Sequence, residues 1–194
     1  MSERATFDLA LRLRDSGASL GEVFSFLSGL YFRGKLAYAR AFVRPPDPES
    51  PISGNGVFVI TPTAGLRAAD TVVTLAALKA FAKVDVSADN PAYRRPLERS
   101  ARQIATDIGP DCDVVLLGSI ASAKYVDVLQ GIFGARLVFP QDFVGRGDMS
   151  RGGLMLRCAS AGEELAYVPV AGAVRHGQRP PKLDPQTRVK MTAS

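Results

Sequence analysis

Apolar residues recur at helical spacing through the first forty or so positions, then give way to short unbroken apolar runs separated by glycine, proline and polar segments. Over residues 3–16, Phe7, Leu9, Ala10 and Leu13 share one face, and Arg4, Asp8 and Arg12 form an i, i+4 charged row on another, which predicts a first helix. Ser16-Gly17-Ala18 ends it. Ser19, with Glu22 three residues on, is a capping box, and Leu20, Val23, Phe24 and Leu27 follow at helical spacing. Ser28-Gly29 predicts an interruption before a third helix from Tyr31 to Phe42, whose polar face carries Arg33, Lys35 and Arg40. Residues 44–51 contain four prolines and, with Ser53-Gly54-Asn55-Gly56, read as a surface loop.

Beyond the loop the pattern changes. Val57-Phe58-Val59-Ile60 is a continuous apolar run, the mark of a strand buried on both faces, and Thr61-Pro62-Thr63-Ala64-Gly65 ends it. Residues 70–82 and 91–108 read as helices, the second opened by Asn90-Pro91. Two further buried strands, Val114 to Leu117 and Leu137 to Phe139, flank a helix over 122–133. Leu154 to Cys158 and Leu165 to Val168 read as a hairpin around Ala161-Gly162-Glu163. This alternation predicts an α/β fold: a mixed, mainly parallel sheet flanked by helices, with an N-terminal helical segment and a C-terminal β-hairpin. The segments are 1–43 helical, 44–56 loop, 57–174 α/β body and 175–194 a Pro-rich tail, without an internal repeat.

Composition changes this picture at one point. The chain has 194 residues, 46% hydrophobic and 22% charged, enough to close a core without disulfides or metals. No stretch approaches the roughly 20 apolar residues that span a bilayer, and Asp8, Arg12 and Asp15 break up a signal-peptide pattern, so a cytoplasmic protein without a membrane partner is expected. The net charge of +5 is concentrated: the tail has five basic residues against Asp184 and so carries +4, leaving +1 for the first 174 residues. Such a tail offers salt-sensitive affinity for phosphate backbones, or simply solubility. Cys112 and Cys158 have no metal-ligand spacing, and the single histidine, His176, falls in the tail, which argues against a metal site and a histidine-based triad. No cofactor is expected.

Ligands in α/β folds gather where strand-end loops converge, and three such loops stand out. Thr61 and Thr63 sit beside a tight turn. Gly118-Ser119 opens a helix with Lys124 close by, so that free N–H groups, Ser119 and Lys124 are candidates for holding an anion. The third loop, Pro140 to Gly153, holds four glycines, two arginines and two aspartates. Gly147 allows close backbone approach, Ser150 adds a hydroxyl, and Arg146 and Arg151 offer planar forks for phosphate or carboxylate. Asp142 and Asp148 are the candidate acid/base groups. The alternative is internal pairing, Arg146 with Asp148 and Arg151 with Asp142. A dinucleotide fingerprint is excluded here by the expectation that a strand, not a helix, follows these glycines. Tyr31, Arg33 and Lys35 are candidate contributors from the N-terminal helix, with Tyr31 and Tyr38 alternatively packing that helix on the sheet.

Three segments in order, Leu30-Tyr31-Phe32-Arg33-Gly34-Lys35, Val59-Ile60-Thr61-Pro62-Thr63-Ala64-Gly65-Leu66 and Val114 to Tyr125, resemble the YaaA-like bacterial proteins. That group has a Leu-Tyr helix and a strand ending in Leu-Ser-Ala-x-x-Gly-Leu. The resemblance implies a link to peroxide stress and to DNA. The family's opening strand with its Cys-Ser/Ala-Lys turn has no counterpart here, and Thr61-Pro62 stands in place of Ser-Ala, so a separate bacterial family is the alternative. The function expected is binding of a nucleotide or nucleic-acid phosphate at the Gly145–Gly153 loop, with carboxylate-assisted hydrolysis or transfer as the chemistry the side chains allow. Two other readings stay open: an interaction protein using its basic tail, and a scaffold that dimerises through its N-terminal helices.

Overall fold

The computed structural model describes residues 7–174, 177, 180 and 181. In chain order the elements are α1 (Asp8–Asp15), β1 (Ala18–Ser19), α2 (Leu20–Phe42), β2 (Phe58–Thr61), β3 (Gly65–Ala68), β4 (Val72–Val73), α3 (Leu75–Phe81), α4 (Pro91–Asp107), β5 (Val114–Val115), α5 (Ala123–Phe133), β6 (Leu137–Pro140), α6 (Asp148–Ala161) and β7 (Tyr167–Pro169). Single 3-10 turns occupy Gly134–Arg136 and Gln141–Phe143. Local chemistry sets several boundaries. The Ser19 side chain accepts the Glu22 N–H and starts α2, while Gly29, at φ 60° and ψ −138°, bends that helix midway. The Asn90 side chain accepts the Ala92 N–H to start α4.

Two apolar cores form. The first gathers Leu9 and Leu13 of α1, Leu20 and Val23 of α2, and Val57, Val59 and Val73. The second gathers Tyr38, Tyr93, Leu97 and Ile104, Val126, Leu129 and Phe133 of α5, Phe139 of β6 and Met155 of α6. The apolar run at residues 57–60 is buried on both faces because it lies between them. Val57 and Val59 belong to the first core, whereas Phe58 and Ile60 pack against the second.

Among the described residues the strands form three small, mostly antiparallel sheets in place of the mainly parallel sheet expected from the sequence. β1 pairs with β4 and β2 with β3, both antiparallel. β6 is central to a three-stranded sheet, parallel to β5 across the α5 crossover and antiparallel to β7. The run after residue 56 was expected to join a parallel sheet. It instead turns back at Thr61–Gly65 into a hairpin, because continuous burial reports two covered faces and not the direction of the partner strand.

The C-terminal hairpin is a second correction. Leu154 to Cys158 is not a strand; it lies in α6. The buried residues of that helix are Gly152, Met155 and Cys158, three apart, and Gly162, read from sequence as a hairpin turn, is its left-handed cap at φ 71°. The strand expected at Leu165 to Val168 is present as β7, paired with β6.

The closest helix contact runs between α2 and α6. A Cβ added at Gly34 would lie 2.5 Å from the Gly152 carbonyl oxygen, and one at Gly152 would lie 2.9 Å from that of Leu30. Two glycines thus let the backbones touch, which brings Tyr31 and Lys35 to the first turn of α6. On the same face of α2, the Tyr38 hydroxyl lies 2.7 Å from that of Tyr167 and accepts the Leu165 N–H at 2.8 Å, tying the approach to β7 to this helix.

Candidate functional site

The parallel strands β5 and β6 end at one place, where α2, α5 and α6 converge. Tyr31 of α2 donates its hydroxyl to the Leu117 carbonyl, just past β5, at 3.4 Å. The Lys35 ammonium, one turn further along α2, lies 3.8 Å from the centroid of the Tyr31 ring. From α6, Arg151 donates Nε and Nη2 to the Phe143 carbonyl at 3.2 and 3.1 Å, and its Nη1 lies 3.7 Å from Asp148 Oδ1. The Arg151 side chain is only 12% exposed, and its charge acts on the Tyr31 hydroxyl. Tyr125 of α5 donates to the Ser119 carbonyl at 2.9 Å. Gly118 leaves room for that ring, since a Cβ there would stand 2.8 Å from the Tyr125 hydroxyl oxygen.

Burial governs the electrostatics. It pushes the Lys35 ammonium down from 10.5 to about 8; Asp148 acts against that shift and Arg151 adds to it. Burial also raises the Tyr31 and Tyr125 hydroxyls, and drives Tyr93 up to about 12 with Tyr125 acting in the same direction. The Tyr93 hydroxyl, from α4, is the one buried side-chain polar atom among the described residues without a hydrogen-bond partner. Leaving such a group unpaired costs about 1–3 kcal/mol. Neither α5 nor α6 has a side-chain cap on its first-turn N–H groups. The cluster therefore sets two cations, three tyrosines and open helix N–H groups against one carboxylate, Asp148, whose side chain is 65% exposed.

Of the residues expected from sequence, the fold brings together Tyr31, Lys35, Asp148 and Arg151, with Ser119 contributing its carbonyl. The internal pairing foreseen for the loop is exchanged: Arg151 faces Asp148, while Arg146 donates to the Asp142 carbonyl at 2.9 Å and to Ser150 Oγ at 3.4 Å. Gly147 is the exposed N-cap residue of α6. A helix, not the expected strand, follows Gly145 and Gly147, which lie between β6 and α6, while Gly152 and Gly153 are inside α6.

Other candidates stand apart. Asp142 is exposed, and its charge acts on the Cys158 thiol. Arg33 and Lys124 are exposed. Thr61 is fully buried, donating to the Gly65 carbonyl at 2.8 Å and accepting the Ala64 N–H at 3.1 Å, so its hydroxyl holds the β2–β3 turn. Thr63 lines a separate groove against α4. The basic residues and His176 of the tail lie outside the described residues. Sequence reasoning missed Tyr125 and Tyr93. Tyr125 adjoins Lys124 in a loop already singled out, whereas Tyr93 gave no signal beyond an aromatic in the first turn of a helix.

Among the described residues no group of histidine, cysteine or acidic side chains could hold a metal ion, and no helix is long and apolar enough to cross a membrane. No protein-family model matches the chain, and neither the curated proteins nor the solved structures gave a match.

Proposed function

We propose that the cluster at the start of α6 binds the phosphate of a nucleotide or nucleic acid. The observation that carries this reading is the convergence of Lys35 and Arg151, two largely buried cations from different helices, on a place where Asp148, paired with Arg151, is the one carboxylate acting on both. Burying like charges side by side is costly, and an anion between them offsets that cost. The strand–glycine loop–helix order supports a phosphate, since uncapped first-turn N–H groups and the helix dipole favour negative charge. The planar Arg151 fork, its back fixed on the Phe143 carbonyl, suits phosphate geometry. Tyr31 and Tyr125 provide aromatic walls, and the orphaned Tyr93 hydroxyl provides a further hydrogen-bonding group beside Tyr125. A DNA ligand is also what the resemblance to the YaaA-like proteins implies. In this reading Asp148 is the carboxylate that takes part in hydrolysis or transfer at a phosphate held here.

The test is isothermal titration with inorganic phosphate and with a panel of nucleoside monophosphates, using the wild-type chain, Lys35→Met and Arg151→Ala. Binding that weakens at least tenfold in both variants, with the far-ultraviolet spectrum unchanged, supports the site. Equal affinity in all three proteins rejects it.

A further inference from the structure

A second gathering of cations lies where the β2–β3 hairpin meets α4, at the edge of the second core. The β2–β3 hairpin and α4 enclose an open groove of about 590 Å³, within the size range of small-molecule sites. Its walls are fixed: the Leu66 N–H donates to Ser100 Oγ at 2.8 Å, and Ser100 Oγ donates in turn to the Pro96 carbonyl at 2.9 Å. Phe58 and Leu66 supply apolar lining, Thr63 and Gln103 supply hydrogen-bonding groups, and Arg67 and Arg99 stand at its sides.

The charge here is one-sided. Arg67 and Arg99 are exposed and lack an acidic partner among the described residues, as do Arg95 and Arg102 on the same helix. Glu98 is already taken by Arg94 at 2.7 Å, and Asp107 accepts hydrogen bonds from Ser50 and Ser53. Arg95, Arg99 and Arg102 follow one another at i, i+4 and i+7, one stripe of cations spaced by a helical turn of about 5.4 Å. The first 174 residues carry only +1 in all, so these four arginines are a local excess and not part of a generally basic surface.

We infer that this groove takes a nucleotide unit of a single nucleic-acid strand, the base against Phe58 and Leu66 and its phosphate between Arg67 and Arg99, with neighbouring phosphates along Arg95 and Arg102. A recess of this volume holds one base with its sugar and excludes a duplex. Apolar lining, hydrogen-bonding side chains and cations together match a base joined to phosphate better than the carboxylates of an acidic peptide. The inference rests on a different face from the α6 cluster and does not depend on that reading.

The experiment titrates a fluorescent ten-nucleotide thymidine strand into the full chain at several salt concentrations. Wild type is compared with Arg67→Gln/Arg99→Gln and with Arg67→Lys/Arg99→Lys. Two lost phosphate contacts lower the slope of log affinity against log salt by about 1.4, at about 0.7 per contact for a single strand. The glutamine pair is expected to bind at least tenfold more weakly with an unchanged melting temperature. The lysine pair recovers most of the affinity. A photoreactive thymidine strand should crosslink to peptides from residues 58–68 and 91–107. Affinity and slope unchanged in the glutamine pair, crosslinks confined to residues 175–194, or equal competition by polyglutamate would each overturn the inference. Equal binding by thymidine monophosphate would keep the groove and assign it to free nucleotides.

Discussion

The α6 cluster and the α4 groove both present arginines, yet they hold them in opposite ways. Arg151 is nearly buried, with its fork fixed on a backbone carbonyl, beside a lysine that burial has pushed toward its neutral form. Arg67 and Arg99 stand in solvent along an open recess. The first arrangement gives direction and strength, because charges taken out of water are screened weakly; the second gives reach and a steep salt dependence. A buried cation is costly to misplace by an ångström, whereas an exposed one tolerates movement. Each face of the molecule can thus be addressed by a different kind of measurement.

The sharpest way to break the comparison is at the α2–α6 contact. Gly34→Val would push its side chain into the Gly152 backbone, and the expected loss is about 1–3 kcal/mol from overpacking, together with phosphate binding at the cluster. Strand binding at the groove should survive wherever the variant remains folded. Thermal melting and the two titrations, run on one preparation, check this. Loss of both activities below the melting transition would mean that the two faces are coupled.

Arg151→Ala comes next. It removes hydrogen bonds from a charged donor to the Phe143 carbonyl, an expected loss of roughly 1.5–3 kcal/mol, and should weaken phosphate binding at least tenfold. Chemical denaturation and isothermal titration read the two effects separately.

Lys35 supplies a pH test with a definite sign. Its ammonium gives up a proton near 8 in the folded chain against 10.5 ordinarily, so between those values the unfolded chain binds the extra proton. The contribution of this group to stability therefore rises as pH climbs from about 8 toward 10.5. Phosphate affinity moves the other way, falling as pH rises through about 8, because the neutral amine attracts no anion. Lys35→Met should remove both trends, and groove binding should show neither. A wild-type affinity that is flat from pH 7 to 9 would separate Lys35 from the phosphate.

Smaller effects finish the series. Tyr93→Phe deletes the orphaned hydroxyl, so stability should hold or rise slightly while phosphate affinity drops a few-fold. Gly131→Ala, in α5, has open space for its Cβ and should stabilise by about 0.5–1 kcal/mol without touching either face.

Much of this protein is legible in its residues. The Ser19 N-cap, the break at Ser28-Gly29, the Asn90-Pro91 start and the crossover between Val114 and Leu137 are local signals, and local structure follows them, although the Glu22 carboxylate of the expected capping box pairs with Arg12 instead. So is the chemistry of residues 145–153, since arginine, aspartate and glycine in one short stretch can be recognised whether they fold as loop or, as here from Asp148 on, as helix. Charge location is likewise a property of the chain: nearly all of the net charge belongs to the last twenty residues.

Tertiary structure alone decided the rest. Leu154 to Cys158 is helix because Gly152, Met155 and Cys158 are the positions that α2 and the second core cover, and a five-residue stretch apolar but for Arg157 cannot say which of its residues will be covered. The direction of β2 depended on where a tight turn sent the chain, not on the burial of its side chains. The same holds for the site. Lys35 and Arg151 are more than a hundred positions apart, and only the contact between Gly34 and Gly152 makes them neighbours. Burial then sets the charge state of Lys35, and burial belongs to the packed molecule, not to the lysine.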